Sequence, residues 1–126
     1  MKEIITTAKA PNPVGPYNQA ILAGGTLYVS GQIAINPESG ELVMSSIQDE
    51  THQVLNNLKE ILLKAEMSFE NFVKCSVFVT DMNQYSEINA VYAEYFREST
   101  APARALVEVA NLPKFVNIEI SLVAVK

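Results

Sequence analysis

The chain has 126 residues, of which 48% are apolar and 18% charged, with no Trp and a formal net charge of −5. That balance describes one folded domain over residues 1–126 with an aliphatic core, and it offers no electrostatic footprint for a phosphate backbone, so no nucleic acid partner is expected. A single cysteine, Cys75, and a single histidine, His52, exclude an internal disulfide, a multi-thiolate zinc site and most His-based metal or triad schemes, which leaves arginine, carboxylate, hydroxyl and amide chemistry.

The opening Met1-Lys2-Glu3-Ile4-Ile5 is too short for a signal-peptide core and carries an acid, and no apolar run approaches a membrane span; a cytoplasmic protein with no membrane partner is expected. After an extended start over Ile4 to Thr7, the segment Ala10 to Pro16 holds three of the six prolines and must be a stiff loop that delivers Tyr17 to a fixed place. Asn18 to Ala23 and Leu27 to Ile35 read as two strands joined at Gly24-Gly25, a pair that tolerates the positive φ angles of a tight hairpin. Asn36-Pro37-Glu38-Ser39-Gly40 breaks structure, and Ser46 with Asp49 has the spacing of a capping box at the start of a helix. Ile47, Val54, Leu55, Leu58, Ile61, Leu62 and Ala65 then fall on one helical stripe, with Asp49, Glu50, Asn56, Lys59, Glu60 and Lys64 largely off it. Val73 to Thr80 is rich in β-branched residues and reads as a strand. Asp81 with Gln84 repeats the capping spacing before a second helix of Tyr85, Ile88, Tyr92, Tyr95 and Phe96, expected to end near Ser99, ahead of Pro102. Arg104 to Val109 and Asn117 to Val125 are the last strands, expected to be antiparallel neighbours. The order β-β-β-α-β-α-β-β predicts an α+β fold, a mixed sheet covered on one face by two helices.

Only two arginines occur, and Arg104 stands behind a proline at the head of an apolar strand. A planar guanidinium in such a place is suited to bidentate capture of a carboxylate. The last strand carries a lone carboxylate, Glu119, between Ile118 and Ile120. Strand parity sends Ala105, Val107, Val109, Ile118, Ile120, Leu122 and Ala124 toward the helices, and Arg104, Leu106, Glu108, Glu119, Ser121 and Val123 to the other face. Phe78, Tyr28, Leu106 and Val123 make that second face too apolar for water, and a second copy of the chain is the simplest cover for it.

The run Pro102-Ala103-Arg104-Ala105-Leu106-Val107-Glu108-Val109-Ala110-Asn111-Leu112-Pro113-Lys114, followed by Val116-Asn117-Ile118-Glu119-Ile120, resembles the signature of the RidA (YjgF) family of imine deaminases. Ala10 to Gln19 with its Gly15-Pro16-Tyr17, Ser30-Gly31-Gln32 followed by Asn36-Pro37, and Val77 to Met82 agree with it, so the resemblance runs the length of the chain. It implies a chorismate-mutase-like fold in a homotrimer with clefts between subunits. It further implies hydrolysis of 2-enamine and 2-imine acids, such as 2-aminoacrylate and 2-iminobutanoate, to 2-oxo acids and ammonia, with no metal or organic cofactor. Carried over by motif position, Arg104 binds the substrate carboxylate, Glu119 orients and activates water, and the backbone at Leu106 meets the imine nitrogen. Tyr17, Ser30, Gly31 and Asn89 line the same cleft, some from the neighbouring subunit. Many relatives have cysteine where this chain has Leu106, which bears on any activity that needs the thiol.

Plainer readings stand beside these. Arg104 could close an ion pair with Glu108 or Glu119, and Glu119 could be the protective charge of an edge strand. Tyr17 could be a packing residue, Asn89 a surface group, and Ser30 and Gly31 the mark of a bulge. Cys75 alternates with Val77 and Val79 toward the core and reads as a structural thiol, and His52 reads as a boundary residue of the first helix. A non-catalytic trimer that binds small carboxylates and regulates a partner is the alternative function. RNA cleavage, a description given to some relatives, is opposed by the acidic balance.

Overall fold

The computed structural model describes residues 1–126. Strands β1 (Lys2–Ile5), β2 (Ala20–Ala23) and β3 (Thr26–Gln32) precede helix α1 (Ile47–Lys64), and β4 (Phe72–Val79), α2 (Tyr85–Tyr92), β5 (Ala103–Glu108) and β6 (Ile118–Val125) follow. All six strands form one sheet in the order β1-β2-β3-β6-β4-β5, parallel only between β4 and β5. Both helices pack on one face of it, around Leu27, Val29, Cys75, Val77, Ile118 and Ile120, which gives the expected mixed α+β layer pair. No helix is long and apolar enough to cross a membrane.

Local chemistry sets the elements that carry the site. Gly24 and Gly25 adopt φ of 57° and 81°, the left-handed pair that a two-residue hairpin between β2 and β3 requires. Ser46 caps α1, its hydroxyl accepting from the Asp49 N–H at 3.0 Å, and the anticipated stripe from Ile47 to Ala65 is buried. The proline-rich loop is anchored by the buried Gln19, whose Oε1 accepts from Thr7 N at 2.7 Å and whose Nε2 donates to the carbonyls of Thr7, Ala10 and Pro11. That one amide, its oxygen accepting one hydrogen bond and its two N–H hydrogens spread over three carbonyls, holds the loop that ends in Tyr17. Asn57 on α1 donates to the Ile33 and Ile35 carbonyls at 3.2 and 3.0 Å and ties the chain beyond β3 to the helix.

Four expectations need correction. Glu50 is fully buried rather than off the helical stripe; it lies one turn from Ile47 and Val54, and its two oxygens accept from Asn117 N, Asn117 Nδ2 and Ile118 N. Helix α2 stops at Tyr92, not near Ser99, because Tyr95 and Phe96 are placed by aromatic packing instead, Phe96 lying 4.5 Å from the Tyr92 ring and Tyr95 5.5 Å from Phe69. The side chain of Asp81 caps the short turn before α2, accepting from Asn83 N, rather than joining Gln84 in a box.

The fourth concerns the last two strands. β5 and β6 are not neighbours, because β4 lies between them, parallel to β5 and antiparallel to β6. α2 acts as the crossover of a strand-helix-strand unit, and such a connection returns the chain parallel to the strand it left. The pairing places Arg104 opposite Cys75 and Leu106 opposite Val77, so both face the helices. Glu119, paired with Phe78, faces away from them, on a strand flanked by β3 and β4 rather than at an edge. The open sheet face is populated by Ile4, Tyr28, Phe78, Val107 and Val123 but not by Leu106, which packs against the core.

Candidate active site

Arg104 is held by α2. Tyr85, Asn89 and Tyr92 recur at spacings of four and three, which puts all three on one helix stripe facing β5. Arg104 Nη1 donates to Asn89 Oδ1 at 2.9 Å and Nη2 donates to the Tyr85 hydroxyl at 3.0 Å. The guanidinium carbon lies 4.7 Å from the Tyr92 ring centroid and 5.8 Å from that of Tyr85, within cation–π range of both. No carboxylate pairs with it: the one close approach of a carboxylate to a basic side chain is Glu94 at 3.8 Å from His52 Nε2, and Glu108 accepts from Met82 N instead. A half-buried guanidinium is thus braced on three sides and left without a counter-charge. It opens on a cleft of about 530 Å³ shared with Tyr85, Asn89, Tyr92, Phe96 and Pro102.

The floor beneath it is neutral. Burial pushes the Cys75 thiol up, against smaller opposing pulls from Tyr92 and Arg104, which fits the structural role expected of it. Burial, and then the adjoining thiol, push the Tyr92 phenol far above its usual range, and its hydroxyl lies beside Cys75 without a hydrogen bond of good geometry. His52 sits at the margin of α1 as expected, with Nδ1 2.7 Å from the Tyr95 hydroxyl.

Glu119 stands apart from this cleft, against Gly31. It has no ion pair, and burial raises its carboxyl above the ordinary 4.5. Gly31 on β3 lies so close that a Cβ there would stand 2.8 Å from Glu119 Cδ and Oε2. Gly31 also lines a groove of about 370 Å³ with Tyr17, Gln19, Pro113 and Lys114. Tyr17 is half-exposed, its hydroxyl accepting from Val14 N at 3.4 Å, and the Ser30 hydroxyl donates to the Asn18 carbonyl at 2.6 Å. Gly31→Ala should fold with a stability loss of less than about 1 kcal/mol, since only the end of a flexible side chain must move, yet displace the Glu119 carboxylate. A drop in turnover of about tenfold or more with an unchanged denaturation midpoint is the expected pair of measurements.

The anticipated residues therefore separate into two groups within one chain. Tyr17, Ser30, Gly31 and Glu119 gather around β3 and β6, whereas Arg104, Asn89 and Leu106 belong to β5 and α2. Glu119 and Arg104 lie two strands apart, about 10 Å across the sheet, and on opposite faces. β5 is an edge strand, so half its peptide groups, in the stretch that includes Leu106, lack a partner in the sheet. Tyr85, Tyr92 and Gln19 were not anticipated as site residues; the spacing of Tyr85 and Tyr92 about Asn89 is the signal that could have found the first two. No group of three or more His, Cys, Asp or Glu side chains converges as a metal site.

Fold and site define a small α+β protein built around an unpaired, braced arginine. Residues 7–126 match the endoribonuclease L-PSP family. The chain is 52% identical to a RutC family protein of Pyrococcus horikoshii, over 100% of this chain and 99% of that protein. It is 45% identical to the human 2-iminobutanoate/2-iminopropanoate deaminase, over 100% of this chain and 91% of that one. Among solved structures, Escherichia coli TdcF with bound serine superposes with a TM-score of 0.93 at 40% identity, covering 98% of each chain. The chain belongs to this family, the RidA (YjgF) family that its motifs resemble.

Proposed function

We propose that this protein hydrolyses reactive 2-imine and 2-enamine acids, of the size of 2-iminobutanoate and 2-aminoacrylate, to 2-oxo acids and ammonia. The observation that carries the reading is the guanidinium of Arg104, braced by Asn89, Tyr85 and Tyr92 yet without a carboxylate partner. A substrate carboxylate supplies the missing charge. Because the Glu119 group and the Arg104 group lie on opposite faces of one chain, a homotrimer in which a neighbouring copy brings one group to the other accounts for both, and it also covers the apolar open face.

In the reaction, Arg104 fixes the carboxylate, and the open peptide groups near Leu106 fix the imine nitrogen. Glu119 takes a proton from water as its oxygen adds to the imine carbon. For the iminium form of the substrate the resulting neutral carbinolamine then collapses: Glu119 hands its proton to the nitrogen, the C–N bond breaks as the hydroxyl proton passes back to Glu119, and the 2-oxo acid and ammonia leave, the last proton going to ammonia or solvent. A carboxyl raised by its burial is a stronger base and a readier donor near neutral pH than an exposed one. Gly31 shapes the wall beside it.

The test is turnover: 2-iminobutanoate generated by an amino-acid oxidase is trapped with semicarbazide, and the protein should lower the trapped fraction. Unchanged trapping by correctly assembled protein overturns the reading. Serine bound in TdcF favours a second reading, a binding module for small amino-acid carboxylates; saturable binding of 2-oxobutanoate without turnover is its signature.

The elevated carboxyl of Glu119 also sets a pH dependence. As pH falls through its raised pKa the base becomes protonated, so the acid limb of kcat/KM should inflect above 4.5 and vanish in Glu119→Gln. For stability the sign is opposite to that of a paired acid. The destabilisation by the buried charge is absent below the unfolded value of about 4.3 and complete above the folded one, so Glu119→Gln should match wild type in acid and exceed it at neutral pH. Denaturation midpoints at the two ends of that window measure it, and a variant less stable at neutral pH contradicts it.

A further inference from the structure

We propose that Tyr85 is a substrate-binding residue whose phenolic O–H donates to the same carboxylate that Arg104 holds; the proposal rests on the carboxylate-binding reading above. A guanidinium has hydrogens to give and no lone pair to offer, so in the 3.0 Å contact between Arg104 Nη2 and the Tyr85 hydroxyl the phenol oxygen must accept. Its own hydrogen is then uncommitted, and the hydroxyl makes no other hydrogen bond. Tyr85 is partly exposed and lines the cleft into which Arg104 opens, so that hydrogen is available to a ligand there. A hydroxyl that accepts from a cation is polarised toward donating, which favours an anionic acceptor. Asn89 Oδ1 takes a hydrogen from Nη1, and the two acceptors fix the plane of the fork. An anion bound to the remaining N–H groups beside Nη2 meets the Tyr85 O–H as a further directional donor. Tyr92, stacked against the guanidinium, has its hydroxyl buried beside Cys75 and cannot serve.

Position 85 therefore separates carboxylates from uncharged isosteres, and it acts on binding more than on the chemical step. Tyr85→Phe keeps the ring against Arg104 and removes only the hydroxyl. For the intact oligomer, the expected result is a rise of about tenfold in both the KM of imine turnover and the Kd of 2-oxobutanoate, with kcat within about twofold of wild type and binding of uncharged 2-oxobutanamide unchanged. A phenol that only packs against the arginine leaves the 2-oxobutanoate Kd within twofold of wild type. That outcome overturns the proposal while leaving the deaminase reading intact if wild type turns over imine. Absence of turnover with tight 2-oxobutanoate binding removes the deaminase reading alone, and the Kd ratio still decides the role of Tyr85. Wild type that neither turns over imine nor binds 2-oxobutanoate overturns both.

Discussion

Replacing Arg104 with alanine lowers kcat/KM for imine hydrolysis by about 10²- to 10⁴-fold, the equivalent of two charge-assisted hydrogen bonds of roughly 1.5–3 kcal/mol each. The fold survives the change. Arg104 is only half-buried, has no ion pair to lose, and its removal relieves Asn89 and Tyr85 of a single hydrogen bond apiece, groups that water can reach from the cleft. Size-exclusion and denaturation profiles should therefore match wild type while semicarbazide trapping returns to the level seen without protein. Arg104→Lys supplies charge but not the fork, and cannot reach Asn89, Tyr85 and a carboxylate together, so it should recover only part of the loss. A loss below tenfold in Arg104→Ala would mean that the carboxylate is held elsewhere.

The second large effect falls on stability. Glu50→Ala should reduce the free energy of unfolding by about 3–5 kcal/mol, because it strips a fully buried carboxylate from three N–H groups at the entrance to β6, one of them the buried Ile118 N–H. Glu50→Gln should lose nearly as much: an amide offers one oxygen where the site uses two, and turns its own N–H₂ toward a donor. Urea denaturation measures both variants. A loss under 1 kcal/mol for the alanine variant would show that the strand end finds other partners.

Much of the architecture was legible because local chemistry and tertiary packing agree over most of the chain. Gly24-Gly25, the Ser46 cap, the stripe on α1 and the alternation of β6 each specify one outcome and obtain it. Arg104 and Glu119 stood out for a related reason, a charge placed among apolar neighbours. Their mutual placement was hidden, since parity orders residues within a strand but does not say which strand lies alongside. Only the parallel pairing of β5 with β4, which sets Arg104 opposite Cys75, fixes the face on which Arg104 lies. Glu50 was hidden differently: its charge had it read as lying off the stripe, although it is one turn from Ile47 and Val54, and the partners that hold it in the core are 67 and 68 residues away.

The position of β6 bears on how the protein is made. Without that strand the sheet is two separate fragments, β1-β2-β3 and β4-β5, each with an unpaired edge at the gap. β6 fills the gap between them as a keystone, pairing Thr26 with Val125 on one side and Val79 with Ile118 on the other. Closure across so long a sequence separation is slow, and the waiting fragments present sticky edges until it occurs. Glu119 rides on the keystone. The strand that completes the sheet is thus the one that brings the candidate catalytic carboxylate.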